Sequence, residues 1–172
     1  MNTQFTSAKV QTMDLTAEEH CKHALSICDV DVEAALLLAE QVKASSAQFE
    51  ISLKAKSMAA IFEKPSTRTK LSFAVAMQQL GGAMVDLNGA HIFNGHEDAM
   101  DTAKTISQYA DFLLARVHSH SSLEQLAAHS TIPVINGLSD KEHPCQALAD
   151  LLTIKELKGF AGTKVALSLI HI

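Results

Sequence analysis

The alternation of short apolar runs with amphipathic segments from residue 57 onward constrains the fold of this chain most strongly. Each apolar run has the length of one buried strand, and each amphipathic segment has the 3.6-residue period of a helix packed on one face. This order favours an α/β fold, a parallel sheet flanked by helices on both faces. The predicted strands are 58–62, 83–87, 112–117, 133–136 and 164–167.

Helix start and stop signals agree with this order. Gly81 is placed to end the helix after the first strand. Ser121 with Glu124 forms a capping-box pattern, and Pro144 suits a first helical position. The predicted helices are one that follows Asp31 as its N-cap and those at 67–80, 98–109, 122–129 and 144–157.

Composition excludes several classes of function. Hydrophobic residues make up 47% of the 172 residues and the net charge is −5, so we expect a globular chain without a nucleic-acid partner. Cys21, Cys28 and Cys145 show neither disulfide nor zinc-ligand spacing, which indicates a reducing compartment and no metal site. No apolar run approaches the roughly 18 residues of a membrane span, so we expect a cytoplasmic protein with no membrane partner.

Polar and charged side chains occur at the ends of three predicted strands, at the edge where open α/β sheets bind ligands. A hydroxyl-rich, cationic turn follows the first strand, Arg116 comes at the end of the third, and His143 follows the fourth. Helix N–H groups, hydroxyls and a guanidinium in one turn predict a phosphate site. The residues of this phosphate turn are Ser66, Thr67, Arg68 and Thr69.

Only two of the fourteen Lys and Arg residues are arginines, Arg68 and Arg116. Because a guanidinium offers a planar fork of donors, its restriction to two strand ends favours anion binding there. The alternative is that Ser66 is an ordinary helix N-cap and that both arginines form surface ion pairs.

His143 and Gln146 are three residues apart, so a helix starting here would point both side chains to one place. Taken alone, His143 would more often cap a helix or pack in a core. Cys145 is expected to face away from this pair, which disfavours a nucleophilic role. The histidines expected to be solvated are His118, His120 and His129.

These segments resemble the carbamoyltransferases. FEKPSTRTKLSF contains the phosphate turn, LLARV contains Arg116, and HPCQALAD starts at His143. The INGLSD and HPCQALAD segments favour ornithine carbamoyltransferase over the aspartate enzyme. The resemblance covers about residues 22–165 and implies transfer from carbamoyl phosphate to L-ornithine, giving L-citrulline and phosphate in arginine metabolism.

The resemblance also implies roles for the residues. The phosphate turn would bind the phosphate group, and Arg116, His143 and Gln146 would bind the carbamoyl end, with Arg116 and His143 catalytic. Donors from Arg116, His143 and Thr69 would stabilise the charge on the carbamoyl oxygen as the neutral δ-amine attacks. No metal or organic cofactor is implied, because the donor arrives already activated.

Two positions depart from the family's pattern. Lys70 stands where a second arginine is usual, so only a point charge remains there, and no direct substrate contact is expected. The loop at 87–97 is one residue shorter than in relatives; in the family it reaches a neighbouring subunit's site, and His91 is the nearest candidate. Because the family forms trimers, the resemblance implies a homo-oligomer.

Family members are longer, and their second domain supplies the residues that bind the amino acid. We expect a leader at 1–22, a carbamoyl-phosphate domain at 23–150, and at 151–172 a linking helix with the first strand of a second domain. Such an amino-terminal fragment is expected to lack turnover and to be poorly soluble. One possible nucleotide coding of residues 167–172 is identical to the mosaic-end sequence of transposase-based sequencing libraries. This identity suggests the hypothesis that these six residues come from read-through into a sequencing adaptor. Sequencing the 3′ end of the gene tests it.

Other functions stay open on these residues. Aspartate carbamoyltransferase shares the phosphate turn, and enzymes acting on putrescine or acylated ornithine would differ in the second domain. A non-catalytic carbamoyl-phosphate-binding or subunit-interaction module is a different class of function.

Overall fold

The computed structural model of the chain describes residues 23–89 and 98–166. Within these ranges the strands are β1 (Ser57–Phe62), β2 (Ala83–Asn88), β3 (Phe112–Arg116) and β4 (Val134–Asn136). The α-helices are α1 (Val32–Ala44), α2 (Thr67–Gln79), α3 (Ala99–Tyr109), α4 (His120–His129) and α5 (Pro144–Leu157). The predicted leader, His91 and residues 167–172 lie outside the described residues.

The four strands form one parallel sheet in the order β2-β1-β3-β4. β1 and β3 are therefore central neighbours, and their register pairs Phe62 with Arg116. Since the strands are parallel, the phosphate turn that follows β1 begins beside the residue that ends β3. The predicted α/β fold with a parallel sheet is confirmed.

Helices cover both faces of the sheet, as predicted. On one face, Ile61 and Leu113 pack with residues of α3 and α4 such as Ile106 and Leu123. On the other face, Leu114 packs with Met77 of α2. Burying each large aliphatic side chain contributes about 1.5–3 kcal/mol, so the sheet is a firm base for the segments at its edge.

Three predicted helix ends are confirmed in detail. The Asp31 side chain accepts a hydrogen bond from the Ala34 N–H at 3.0 Å and caps α1. After α2, Gly81 adopts φ +84°, a conformation that L side chains rarely take, and the chain turns into β2. Pro144 is the first residue of α5, as its lack of an N–H predicts.

The capping box predicted at Ser121 and Glu124 is wrong. Helix α4 begins at His120 rather than at residue 122, and its N-cap is Ser119. The His120 N–H donates to the Asp140 carboxylate at 2.7 Å, so a side chain from another loop takes the capping role. The helix therefore starts after Ser119 and not after Ser121. The contact with Asp140 comes from a distant part of the chain, so the local sequence could not predict it.

The predicted strand at 164–167 is not formed in its described part. Residues 164–166 have no strand pairing, and residue 167 lies outside the described residues. A strand needs a neighbouring strand to receive its backbone hydrogen bonds. In the described part of the chain, β1 to β4 pair with one another and, at Ile135, with Ala24, but not with residues 164–166.

Two ion pairs connect α1 to α5. Lys43 Nζ lies 2.6 Å from Glu156 Oε1, and Lys155 Nζ lies 2.9 Å from Glu40 Oε2. Both pairs are partly exposed, so each contributes only about 0–1 kcal/mol.

Candidate donor-binding cleft

The phosphate turn lies between the end of β1 and the first turn of α2. Ser66 occupies the N-cap position with an extended backbone (φ −149°, ψ 110°), but its side chain makes no capping hydrogen bond. The first N–H groups of a helix have no partners inside the helix. The Ser66 hydroxyl and these N–H groups are therefore available to an anion, which an ordinary cap would not allow.

Arg116 ends β3 directly beside this turn. Its Nη1 donates to Thr69 Oγ1 at 3.4 Å, and its buried Nε has no hydrogen-bond partner within the described residues. Burial, and then the nearby positive charge of Arg68, lower the pKa of the Arg116 guanidinium. Arginine nevertheless stays charged near neutral pH. Two positive charges therefore lie close together here, and neither is paired with a carboxylate among the described residues.

The ion pairs of the described residues use lysine or histidine as the cation, never Arg68 or Arg116. The alternative in which both arginines form surface ion pairs is therefore wrong for the described part of the chain. Each like charge disfavours the charged form of the other, whereas an anion bound nearby would favour the charged form of both.

His143 approaches the same place from the other side, as the N-cap residue of α5. Its buried Nδ1 has no hydrogen-bond partner in the described part of the chain. Burial first, and then the charge of Arg116, lower the pKa of His143 below its ordinary value of 6.5, while Asp150 raises it less. The imidazole is therefore neutral at pH 7.

A cleft of about 450 Å³ lies between α2 and α5. Four of the seven predicted site residues line it: Arg68, Thr69, His143 and Gln146. Arg116 reaches the cleft through Thr69, while Ser66 and Thr67 lie at the helix start next to it and are not part of its lining. Gln146 Nε2 donates to Asp150 Oδ1 at 2.9 Å, so a ligand must compete with Asp150 for this amide.

The apolar wall of the cleft was missed by sequence reasoning. Phe73 and Ala76 line it together with Ser72. These residues follow Thr69 at positions i+3, i+4 and i+7, which share one helix face. The helical period could therefore have identified them once Thr69 was assigned to the site.

Cys145 does not face away from the site, contrary to the expectation from helical geometry. It lines the cleft beside His143 and Gln146, because His143 precedes the helix and does not follow helical spacing. The Cys145 Sγ donates to the Asn136 carbonyl at 3.4 Å, and burial raises its pKa to about 11. The thiol is therefore protonated at neutral pH, which disfavours a nucleophile.

Lys70 lies outside the lining of the cleft. Its Nζ lies 2.6 Å from Asp86 Oδ2 on β2 and 4.8 Å from the centre of the Phe62 ring. The Lys70 ammonium group is thus paired with a carboxylate of β2, although Lys70 directly follows the phosphate turn in sequence.

The expectation that His120 is solvated is also wrong, because its side chain is buried and bonded to Ser139. His118 and His129 are exposed, as predicted. Within the described ranges, no three His, Cys, Asp or Glu side chains form a group that could hold a metal ion. No helix of the described residues is both long and apolar enough to cross a membrane.

Comparison with known families gives a match over most of the chain. Residues 22–156 match the model of the aspartate/ornithine carbamoyltransferase family, carbamoyl-P binding domain. The ornithine carbamoyltransferase of Anoxybacillus flavithermus is 45% identical over 161 residues, which is 90% of this chain and 51% of that protein. The chain thus spans about half the length of the curated relatives it matches.

Solved structures give the same result. The ornithine carbamoyltransferase of Pyrococcus furiosus superposes with a TM-score of 0.75 at 42% identity, over 83% of this chain and 48% of that one. The catalytic subunit of the aspartate transcarbamoylase of M. jannaschii superposes with a TM-score of 0.71 at 32% identity, over 78% and 47%. The described fold is common to carbamoyltransferases that differ in their acceptor.

Proposed function

Because the chain belongs to the aspartate/ornithine carbamoyltransferase family, we propose that the cleft between α2 and α5 binds carbamoyl phosphate. In the complete protein the carbamoyl group is then transferred to ornithine, giving citrulline and phosphate. The observation that carries this proposal is the pair of buried nitrogens without described partners, Arg116 Nε beside the phosphate turn and His143 Nδ1 at the start of α5.

The phosphate group of the donor is assigned to the phosphate turn. The uncapped start of α2 offers backbone N–H groups and the positive end of the helix dipole. Arg68 adds a guanidinium that can donate two parallel hydrogen bonds to phosphate oxygens. The hydroxyls of Ser66, Thr67 and Thr69 complete a set of donors that holds a dianion before and after transfer.

The carbamoyl group is assigned to Arg116, His143 and Gln146. When the neutral amine of the acceptor attacks the carbamoyl carbon, a C–N bond forms and negative charge develops on the carbamoyl oxygen. Arg116 and His143 are the catalytic residues, since fixed donors in a partly buried site stabilise that charge more than water does. The C–O bond to phosphate then breaks, and the phosphate leaves with its bonding electrons into the phosphate turn. The proton lost by the attacking amine goes to a phosphate oxygen, so the product leaves as the hydrogenphosphate dianion.

A neutral His143 suits this arrangement. A protonated His143 would add a further positive charge to those of Arg116 and Arg68, whereas a neutral imidazole with its proton on Nδ1 still donates one hydrogen bond. The lowered pKa of His143 favours this neutral form at pH 7.

The identity of the acceptor has less support than the binding of carbamoyl phosphate. A match to the catalytic subunit of an aspartate transcarbamoylase keeps aspartate as the rival acceptor. Assaying the complete gene product with ornithine and aspartate separately discriminates between them. Citrulline formation supports the proposal, and exclusive formation of carbamoylaspartate contradicts its acceptor.

The same proposal covers organisation and setting. It divides the chain into a leader at 1–22, a carbamoyl-phosphate domain at 23–150 and a linking segment at 151–172, and it includes assembly into a homo-oligomer of trimeric type. A reducing, cytoplasmic setting agrees with the free thiols of Cys28 and Cys145. Light scattering across a concentration series of the complete protein tests the assembly.

Calorimetric titration of this chain with carbamoyl phosphate tests the donor site. Arg68→Ala should weaken binding at least about tenfold, since a charged hydrogen bond contributes about 1.5–3 kcal/mol. Lys104→Ala is the matched control, because it removes the same charge from an exposed position on α3. Equal affinity of the wild type and Arg68→Ala would remove the phosphate assignment.

A further inference from the structure

A buried polar cluster lies behind the cleft, where the turn after β4 meets the start of α4. Its members are Asn136, Ser139 and His120, which are 0%, 6% and 8% exposed. Buried polar side chains cost free energy unless they are hydrogen-bonded, and a fully bonded network makes a turn rigid. The residues of this cluster do not line the cleft, so their effect on it must be indirect.

Ser139 is the centre of the cluster. Its Oγ lies 2.8 Å from His120 Nδ1, and it accepts from the Lys141 N–H at 3.3 Å and the Glu142 N–H at 3.4 Å. The start of α4 is tied to the same turn a second time, because the His120 N–H donates to Asp140. Two bonds from one residue of α4 therefore hold the turn.

The cluster reaches His143 through one peptide group. The Glu142 carbonyl accepts from the Ser139 N–H at 3.1 Å and from Asn136 Nδ2 at 3.2 Å. That carbonyl belongs to the peptide unit that contains the His143 nitrogen, and peptide units are planar. Fixing the carbonyl therefore fixes the direction in which the His143 backbone enters α5.

The turn holds a conformation that it would not adopt alone. Leu138 has φ +137°, outside the regions that residues with a side chain normally occupy. Such a conformation persists only where surrounding bonds determine it. Here the Leu138 N–H donates to Asn136 Oδ1 at 2.9 Å, and its carbonyl accepts from the Val117 N–H at 2.9 Å.

We propose that His120 is a positioning residue, whose hydrogen bond to Ser139 holds the turn at 136–143 so that His143 faces the carbamoyl end of the cleft beside Arg116. This inference rests on the proposed function for its ligand. It assigns no bond-making role to His120, which touches neither the cleft nor the donor.

A hydrolase triad is the other interpretation of these groups, since His120 Nε2 also lies 3.7 Å from Glu124 Oε1. The Ser139 hydroxyl, however, accepts hydrogen bonds from the turn's own N–H groups, and Ser139 as a whole is only 6% exposed. A nucleophile must reach a substrate carbon, so the hydrogen bond between His120 and Ser139 fits a structural role and not that of a catalytic serine.

The test compares two ligands that share the phosphate turn. His120→Leu should raise the Kd for carbamoyl phosphate roughly fivefold to tenfold, the value of one lost hydrogen bond at the carbamoyl end. The Kd for inorganic phosphate should stay unchanged, because α2 binds that group. His120→Asn, which keeps a polar atom near the place of Nδ1, should recover most of the affinity, and His129→Leu on the same helix is the matched control.

A second readout needs no ligand. In an NMR titration the His143 ring should have a lowered pKa in the wild type, and His120→Leu should return it toward 6.5 as the ring becomes less buried and moves away from Arg116. Failure of the wild type to bind carbamoyl phosphate would count against the proposed function alone, and the titration would then decide the role of His120.

Unchanged carbamoyl-phosphate affinity together with an unchanged His143 titration in His120→Leu overturns the inference. Equal weakening of both ligands in a folded variant also overturns it, because the loss would then be general. If His120→Leu loses its helical circular dichroism, Ser139→Ala removes the same bond while leaving α4 intact, and the same outcomes apply to it.

Discussion

Two buried nitrogens define the site at the scale of single residues. Arg116 Nε and His143 Nδ1 each have no partner in the described part of the chain, and leaving such a group unsatisfied costs about 1–3 kcal/mol. A fold tolerates this cost where a ligand supplies the missing acceptor. The sequence could predict Arg116 and His143 from their positions after strands, whereas their lack of partners depends on burial that only packing creates.

Arg116→Lys is expected to weaken carbamoyl-phosphate binding at least about tenfold, because one ammonium cannot contact Thr69 and present a planar fork to the ligand. Calorimetry of this chain measures the effect, with circular dichroism to confirm that the variant is folded. A folded Arg116→Lys protein with wild-type affinity would show that charge alone is sufficient.

Acid should destabilise the fold through His143. Burial lowers its folded pKa below 6.5, so below that pH the unfolded chain binds more protons than the folded one. The free energy of unfolding should therefore fall as pH drops through 6.5 and level off below the lowered folded pKa.

His143→Gln should flatten this slope in urea titrations between pH 7.5 and 5. His23 also has a pKa lowered by burial, so His23→Gln is the matched variant and should remove only its own share. An equal slope in the wild type and in His143→Gln would contradict the assignment.

At the scale of elements, local signals set most helix and strand bounds. Asp31 acts through its side chain and Gly81 and Pro144 through their backbones, and each marks the helix end that it predicts. The start of α4 depends instead on Asp140, twenty residues away in sequence. Long-range hydrogen bonds of this kind, including the one between His120 and Ser139, cannot be deduced from periodicity.

Gly81→Ala should destabilise the chain by about 1–3 kcal/mol, because a Cβ there would clash with the Glu50 carbonyl oxygen and the residue would have to keep φ +84°. Gly159→Ala is the matched control, since Gly159 has φ +70° with nothing within 4 Å of an added Cβ. The difference between the two free energies of unfolding isolates the steric clash, and equal losses would attribute the whole effect to the positive φ.

At the scale of the whole molecule, the donor and the acceptor place different demands on the chain. The cleft offers donors suited to carbamoyl phosphate, while the resemblance assigns the amino-acid-binding residues to a second domain. The chain spans about half the length of its relatives. The family and the fold could therefore be predicted from these residues, whereas the donor site is a proposal and the acceptor rests on resemblance.

The 172-residue chain alone should bind carbamoyl phosphate and form no measurable citrulline with ornithine. A colorimetric citrulline assay with the complete protein as positive control makes the comparison. Turnover by the short chain would show that its own residues suffice for acceptor binding.

The strand order β2-β1-β3-β4 has a further consequence. From β1 the chain goes outward to β2 on one side, and it then returns to place β3 on the other side of β1. The helices that follow β1 and β3 therefore lie on opposite faces, and the sheet has a topological switch point between these strands. The donor cleft opens at this place because the winding direction reverses there, so the crevice is a product of chain connectivity and the side chains around it decide what it binds.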